Sequence, residues 1–254
     1  MEEHVRQMET ITLDQMGVVK LMNRVDQKYM TNKATLPVLL EKIAPDYFVQ
    51  RIDGVAVADY RTLYFDTEEL AMYTCHHNRK RCRQKLRIRT YRSTQTTFFE
   101  LKNKDNKGKT RKTRIPLDVS AFDSALRQPQ VAQFVIDNTP YPIGSLHEQV
   151  ENFFSRLTLV DRGMTERVTI DFDIRFHNRH TRIDRDISDL VIIEVKHEVG
   201  APKSAIEEAL LGLRVHPRRV SKYCIGTVLT NPEAKYNRFK PKIRYINKLI
   251  EQNN

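Results

Sequence analysis

Alternation of apolar and charged side chains with a period of two runs through much of the chain and predicts strands. In Arg83–Tyr91, positions Arg83, Lys85, Arg87 and Arg89 share one face, and Gln84, Leu86, Ile88 and Thr90 share the other. In Phe98–Lys104, Glu100, Lys102 and Lys104 oppose Phe99 and Leu101. After the turn-forming Asp105-Asn106-Lys107-Gly108, Lys112 and Arg114 again lie in phase. Arg167–Phe176 reads as an unbroken apolar face, Val168, Ile170, Phe172, Ile174 and Phe176, backed by Arg167, Thr169, Asp171, Asp173 and Arg175. In Val191–Lys196, Glu194 and Lys196 oppose Val191, Ile193 and Val195.

Helical spacing is confined to shorter stretches. Residues 35–44 place Leu36, Leu39, Leu40 and Ile43 on one face, with Asn32 as a candidate cap. Residues 118–137 predict one or two helices broken near Pro129. Residues 147–157, 205–213 and 240–251 also predict helices, the last basic with Ile243, Ile246, Leu249 and Ile250 on one side.

Composition narrows the class. The 254 residues carry 43 Lys and Arg against 32 Asp and Glu, a net charge of +11. That balance points to a polyanionic partner without naming it. With 40% hydrophobic residues and no linker-like segment, residues 1–254 read as one domain. No apolar run approaches the roughly 20 residues that span a bilayer, and the start has no signal-peptide pattern. Three cysteines, Cys75, Cys82 and Cys224, have neither zinc-ligand nor disulfide-framework spacing, so a reducing cytoplasmic setting is expected. Cys82 and Cys224 read as packing residues, as do Tyr29 and Tyr223, and the histidines as surface groups.

The sign of the charge decides how the strands are read. An ordinary half-solvated sheet mixes Lys with Glu, Thr and Ser on its wet face. Four adjacent cations on Arg83–Arg89 repel one another, and a bound anion offsets that cost. Closing the sheet with its charges inward gives a basic tunnel clad in apolar packing.

Motifs in chain order carry a resemblance. Arg24-Val-Asp26-Gln-Lys28-Tyr29, Tyr64-Phe-Asp66-Thr67 and Lys85-Leu-Arg87-Ile-Arg89-Thr-Tyr91 come first. Phe98-Phe-Glu100-Leu-Lys102, Lys112-Thr-Arg114, Asp161-Arg162 and Arg167-Val-Thr-Ile-Asp171 follow, then Ile193-Glu194-Val-Lys196 and Arg219-Val-Ser221-Lys222-Tyr223. From about residue 20 to 228 the chain resembles the catalytic domain of the vacuolar transporter chaperone (VTC) polyphosphate polymerases, of the CYTH-like triphosphate tunnel metalloenzyme superfamily.

The resemblance implies an α+β fold: a closed antiparallel eight-stranded β-barrel tunnel with a basic interior and helices packed outside. It implies transfer of the γ-phosphoryl of ATP to inorganic polyphosphate, releasing ADP, with Mn²⁺ or Mg²⁺. Lys28, Lys85, Arg87, Arg89, Lys102, Lys112, Arg114, Arg162, Arg167, Lys196, Arg219 and Lys222 would hold phosphates. Arg87, Arg89, Lys102 and Glu194 would be catalytic, and Glu194, with Glu100 and Asp171, would bind metal. Asp26 stands where the family commonly has Glu, and Arg219 where Lys is common. No regulatory SPX domain and no membrane segment lie within the 254 residues, which suggests a stand-alone version. The rival readings are a triphosphate or NTP phosphohydrolase, a non-catalytic polyphosphate-binding protein, and a nucleic-acid-binding protein. No helix-turn-helix, zinc finger or aromatic RNA-binding strand supports the last.

Overall fold

A computed structural model describes residues 1–18 and 24–251, the side chains at 17, 18 and 24 excepted. The first half of the chain runs β1 (Thr10–Ile11), β2 (Arg24–Asn32), α1 (Thr35–Ile43), β3 (Tyr47–Gln50), β4 (Val57–Thr67), α2 (Ala71–His77), β5 (Arg83–Tyr91), β6 (Thr96–Lys104) and β7 (Thr110–Leu117). A 3-10 segment, Val119–Arg127, leads into α3 (Pro129–Asn138), β8 (Leu146–Asp161), β9 (Glu166–Asn178), β10 (Asp184–Ile187), β11 (Leu190–Glu198), α4 (Ala205–Gly212), α5 (Lys222–Thr230) and α6 (Lys240–Glu251).

The predicted helices at both ends form for the expected reasons. Leu36, Leu39, Leu40 and Ile43 of α1 are all buried, and the Asn32 side chain accepts hydrogen bonds from the Thr35 amide (3.1 Å) and hydroxyl (2.8 Å). Pro129 opens α3, where its missing N–H costs nothing. Residues 147–157, by contrast, are not a helix but the middle of β8. A bulge near Phe153–Ser155 sets two residues of β9 against one of β8 there.

That bulge also corrects the reading of β9. Asp173 adopts φ 54°, the extra residue flips the phase, and the even-numbered apolar side chains part company. Val168, Ile170 and Phe172 pack under α1 and α4, whereas Ile174 and Phe176 join a cluster with Met30, Phe154 and Ile225 on the opposite face. Arg175 is left exposed on the outside.

One antiparallel path, β2-β11-β9-β8-β4-β5-β6-β7, forms the sheet, with β1, β3 and β10 attached to it. Among the described residues no ladder joins β2 to β7. The barrel expected to close by hydrogen bonds is therefore an eight-strand path with a seam. The sheet nevertheless curls. In a flat sheet, Lys102 on β6 and Lys196 on β11 would stand about 24 Å apart, five spacings of roughly 4.8 Å. Yet Lys196 is among the cations that depress the Lys102 ammonium, an effect that the roughly 8–10 Å screening length of salt water would erase at that range.

The two faces are filled differently. Outside, α1 and α4 cover the apolar side chains of β8, β9 and β11, while Val119–Arg127 and α3 cover those of β5 and β6. Not all helices lie outside: α5 enters the concave side. Its Gly226 lies so close to β8 and β9 that an added Cβ would stand 2.6 Å from Phe176 and 2.7 Å from Val150. Gly226→Ala is expected to lower stability by about 1–3 kcal/mol through overpacking, read as a drop in the thermal midpoint.

Candidate active site

The alternation seen in the sequence delivers its charged positions to the concave face, and there they are buried. On β5, Leu86 and Ile88 are fully buried on the outer face, but Arg87 and Arg89, on the inner face, are only 9% and 7% exposed. A sheet that merely showed its charges to water would not do this. β6 adds Glu100, which is 0% exposed. The register sets Lys85 opposite Lys102, Arg87 opposite Glu100, Glu100 opposite Arg114, and Lys102 opposite Lys112. On the far side it sets Lys28 opposite Glu194, and Lys196 opposite both Asp26 and Arg167.

Beside Asp26, the carboxylates Glu100, Asp171 and Glu194 sit among these cations, and each of the three is engaged in ion pairs. Glu100 accepts from Arg87 Nε (2.8 Å) and Lys112 Nζ (3.1 Å). Burial works against its charge, but Arg87, Arg89 and Lys112 outweigh burial and hold its pKa at about 2. Asp171 is gripped by Arg156 through Nε (2.5 Å) and Nη2 (2.8 Å) and by Lys222. Again the cations outweigh burial, and the carboxyl is held well below the usual range. Glu194 pairs with Lys28 and with Lys196, the latter at 2.9 Å.

The cations outnumber these acids. The Arg89 guanidinium donates from Nε to the Thr62 hydroxyl (2.9 Å) and lies over the rings of Tyr60 (5.4 Å) and Phe154 (5.5 Å), but no carboxylate among the described residues meets it. Lys85 donates to the Ser221 hydroxyl (3.1 Å) at the start of α5. Lys222 lies 4.1 Å above the Phe154 ring. Tyr60 and Phe154 stack at 4.9 Å, forming an aromatic floor under Arg89, Arg156 and Lys222. Tyr64, stacked on Tyr223 at 5.0 Å, has a phenol that burial would raise, but Arg87, Arg89, Lys85 and Lys222 lower it.

Crowding of like charge shows in the lysines. Burial first, then Lys196 and Lys222, pulls the Lys28 ammonium down to about 7. Burial, with Arg156 behind it, takes Lys222 to about 8. Arg87, followed by burial, Arg89, Lys85 and Lys196, puts Lys102 well below its ordinary value. A polyanion entering this cluster raises all three again. Binding of tripolyphosphate at pH 8 is therefore expected to take up protons from buffer. Calorimetric titration in two buffers of different ionisation enthalpy measures the number; zero uptake or release would contradict it.

Of the residues expected to hold phosphate, the structure brings Lys28, Lys85, Arg87, Arg89, Lys102, Lys112, Lys196 and Lys222 together, with Arg167 in register beside Lys196. Arg114 lies on the outermost strand, 4.1 Å over the Phe98 ring, and Arg219 is exposed near Lys242. Arg162 lies elsewhere: its guanidinium is committed to Glu9 (2.9 Å) and the Pro45 carbonyl, because the turn after β8 carries it to the outer surface. The Arg24 side chain lies outside the described residues.

Sequence reading missed Arg156, because β8 was read as a helix; as a strand it sets Arg156 directly opposite Asp171. It also missed the aromatic floor and gave no role to Asp66 of the Tyr64–Thr67 motif, which is buried and anchors α2 through the amides of Met72 and Tyr73 (both 2.8 Å) and accepts from the Tyr223 hydroxyl. Tyr29, Tyr223 and Cys224 are core residues as expected, but Cys82 is exposed. His77 and His197, expected at the surface, are buried.

The metal expectation divides. No three His, Cys, Asp or Glu side chains converge among the described residues. Glu100 and Asp171 are engaged in buried ion pairs. Glu194 is partly exposed and held by two lysines, groups that can move to phosphate oxygens. That fits an ion bound through one carboxylate, water and substrate phosphate, the habit of Mg²⁺ and similar hard cations.

A curled antiparallel sheet with a cation-lined concave face defines the class: this is the fold of the CYTH-like triphosphate tunnel proteins. The model of the VTC domain matches residues 23–231, and the chain belongs to that family. Among solved structures, a candidate adenylate cyclase from Bacillus halodurans superposes with a TM-score of 0.51 at 18% identity, over 78% of this chain and 94% of that one. A candidate adenylyl cyclase from Hippeastrum, described as having a dominant triphosphatase activity, gives 0.47 at 14% identity over 82% and 96%. At such identities the first likeness shows the fold alone. No curated protein matches the chain. No helix among the described residues is long and apolar enough to cross a membrane.

Proposed function

We propose that this protein transfers the terminal phosphoryl group of ATP to a growing inorganic polyphosphate chain, releasing ADP, with a divalent cation, Mn²⁺ or Mg²⁺. The observation that carries the reading is Arg89: a buried guanidinium with no direct ion pair among the described residues, left to share the charge of Glu100 with Arg87 and Lys112 in a cluster with too few acids to neutralise it. A buried charge left unpaired costs several kcal/mol, and phosphate is the natural ligand for a planar fork of N–H donors.

Phosphoryl transfer asks the protein mainly for in-line positioning and charge neutralisation. Arg87 and Arg89 are held rigid, the one by Glu100 and the other by Thr62 and the aromatic floor. They would orient the transferring group, with Lys85, Lys102 and Lys222 as point charges around it. Lys28 and Lys196, on the opposite wall, would take the neighbouring phosphates and leave Glu194 able to face a metal. When bound, the metal would cancel charge on the phosphate oxygens.

Incubation with ATP, Mn²⁺ and a short polyphosphate primer tests this: ADP and long polymer are expected in equal measure of transferred phosphate. Free phosphate without polymer selects a hydrolase in the same tunnel. Binding without turnover, across several metals, selects a non-catalytic sensor.

A further inference from the structure

A second group of cations lies outside the tunnel wall and forms no ion pair among the described residues. Arg79, Lys80 and Arg81 follow α2, Arg219 precedes α5, and Lys242 lies in the first turn of α6. None of them forms an ion pair with the described residues, and all but half-buried Lys242 are exposed. They are not a scatter of solvated side chains, because a ladder of aromatic rings ties their supports to the tunnel. Tyr64 of the inner wall stacks on Tyr223 (5.0 Å), Tyr223 meets Tyr73 edge-on (6.3 Å), Tyr73 stacks on Phe239 (5.9 Å), and Lys242 lies over the Phe239 ring (5.5 Å). The Tyr73 hydroxyl donates to the Lys235 carbonyl (2.7 Å), and the His77 ring packs on Phe239 (5.8 Å), so α2 and the lead-in to α6 are pinned together.

This places the outer cations next to the tunnel lysines. Burial, with Arg79, Lys85 and Arg219 behind it, lowers the Lys242 ammonium. Lys85 is the shared member, since it also bonds Ser221 beside Lys222. Lys222, Lys85, Lys242, Arg219 and Arg79 thus form one neighbourhood of like charge, joined at Lys85.

We infer that this ledge is a second, outer subsite for the same polyanion, holding the phosphates of a long polyphosphate chain that extend beyond the tunnel mouth and so favouring long chains over short ones. The inference rests on the reading of the tunnel as a polyphosphate site. A flexible polyanion with one charge per phosphate suits cations carried on separate elements, because it needs charge and reach and no shaped pocket. A triphosphate seated on the buried Arg87, Arg89 and Lys102 would leave the ledge to phosphates further along a longer chain.

Equilibrium binding tests it, with inorganic tripolyphosphate and long-chain polyphosphate as the probes and the doubly substituted Arg79→Gln, Lys242→Gln protein. Each lost surface contact to a charged chain weakens binding a few-fold, so the pair is expected to cost about tenfold with the long chain and to flatten its salt dependence. Tripolyphosphate affinity is expected to change by less than about twofold, and Lys242→Arg to behave as wild type. Equal losses for both probes would overturn the ledge as a separate subsite, as would no loss for either. Selective loss of single-stranded RNA binding, with polyphosphate unaffected, would overturn the choice of occupant. Arg89→Ala separates this from the tunnel reading: if that variant binds both probes as well as wild type, the tunnel assignment fails, whatever the ledge does.

Discussion

Arg89→Ala should abolish tripolyphosphate binding and leave the fold intact or firmer. Loss of one partner from a buried charge pair costs about 2–5 kcal/mol of binding, so affinity should fall by about a hundredfold or more. Stability should move the other way. In the free protein the guanidinium is buried beside Arg87 and Arg156, bonded to Thr62 and lying over two aromatic faces, with Glu100 near but directly paired to Arg87 and Lys112. Removing it relieves that repulsion, against the smaller loss of packing. Arg89→Lys should keep part of the affinity, since it keeps charge but not the planar fork. Calorimetry for binding and thermal melts without ligand check both signs. A variant that loses stability while binding normally would show Arg89 to be structural.

Asp171→Asn should do the reverse. It leaves Arg156 and Lys222 buried against an amide, and breaking such a pair costs about 3–5 kcal/mol. In a domain of this size that lowers the melting midpoint by about 10 °C. Tripolyphosphate should restore more stability to this variant than to wild type, because phosphate can stand in for the missing carboxylate. If Asp171 were a metal ligand, the variant would lose metal affinity and keep its melting point. The pH dependence follows the same logic. The Asp171 and Glu100 carboxyls are held below their ordinary values. Their contribution is present in full above about pH 4.5 and is lost as the pH falls from there, for Glu100 toward about 2. Acid below about pH 4.5 should therefore loosen the tunnel.

How much of this was legible in the sequence depends on phase. The four in-phase cations of Arg83–Arg89 could be read directly, since period two is all that is needed to assign them to one face. That this face is interior could only be argued, from the cost of crowding like charges. The bulge at Asp173 could not be seen: the even-numbered residues of β9 stay apolar straight through it, so the sequence looks like one continuous face. The same irregularity hid Arg156, whose strand has apolar residues on both sides near Phe153 and Phe154 and so mimics a helix. Arg162 was carried over from a motif and not from a face, and the turn after β8 takes it away from the site. Burial of Glu100 and Asp171 was equally invisible, because a carboxylate in a strand reads the same whether it meets a metal or two cations. Closure is the subtlest point. Lys196 bears on the Lys102 ammonium although, among the described residues, β2 and β7 share no ladder.

The most direct measurement is a crystal structure of the protein with tripolyphosphate and Mn²⁺. It is expected to show one string of phosphates touching Arg87, Arg89 and Lys102 on one wall and Lys28 and Lys196 on the other. Phosphates confined to the outer surface, or walls too far apart for one ligand to reach both, would contradict the account.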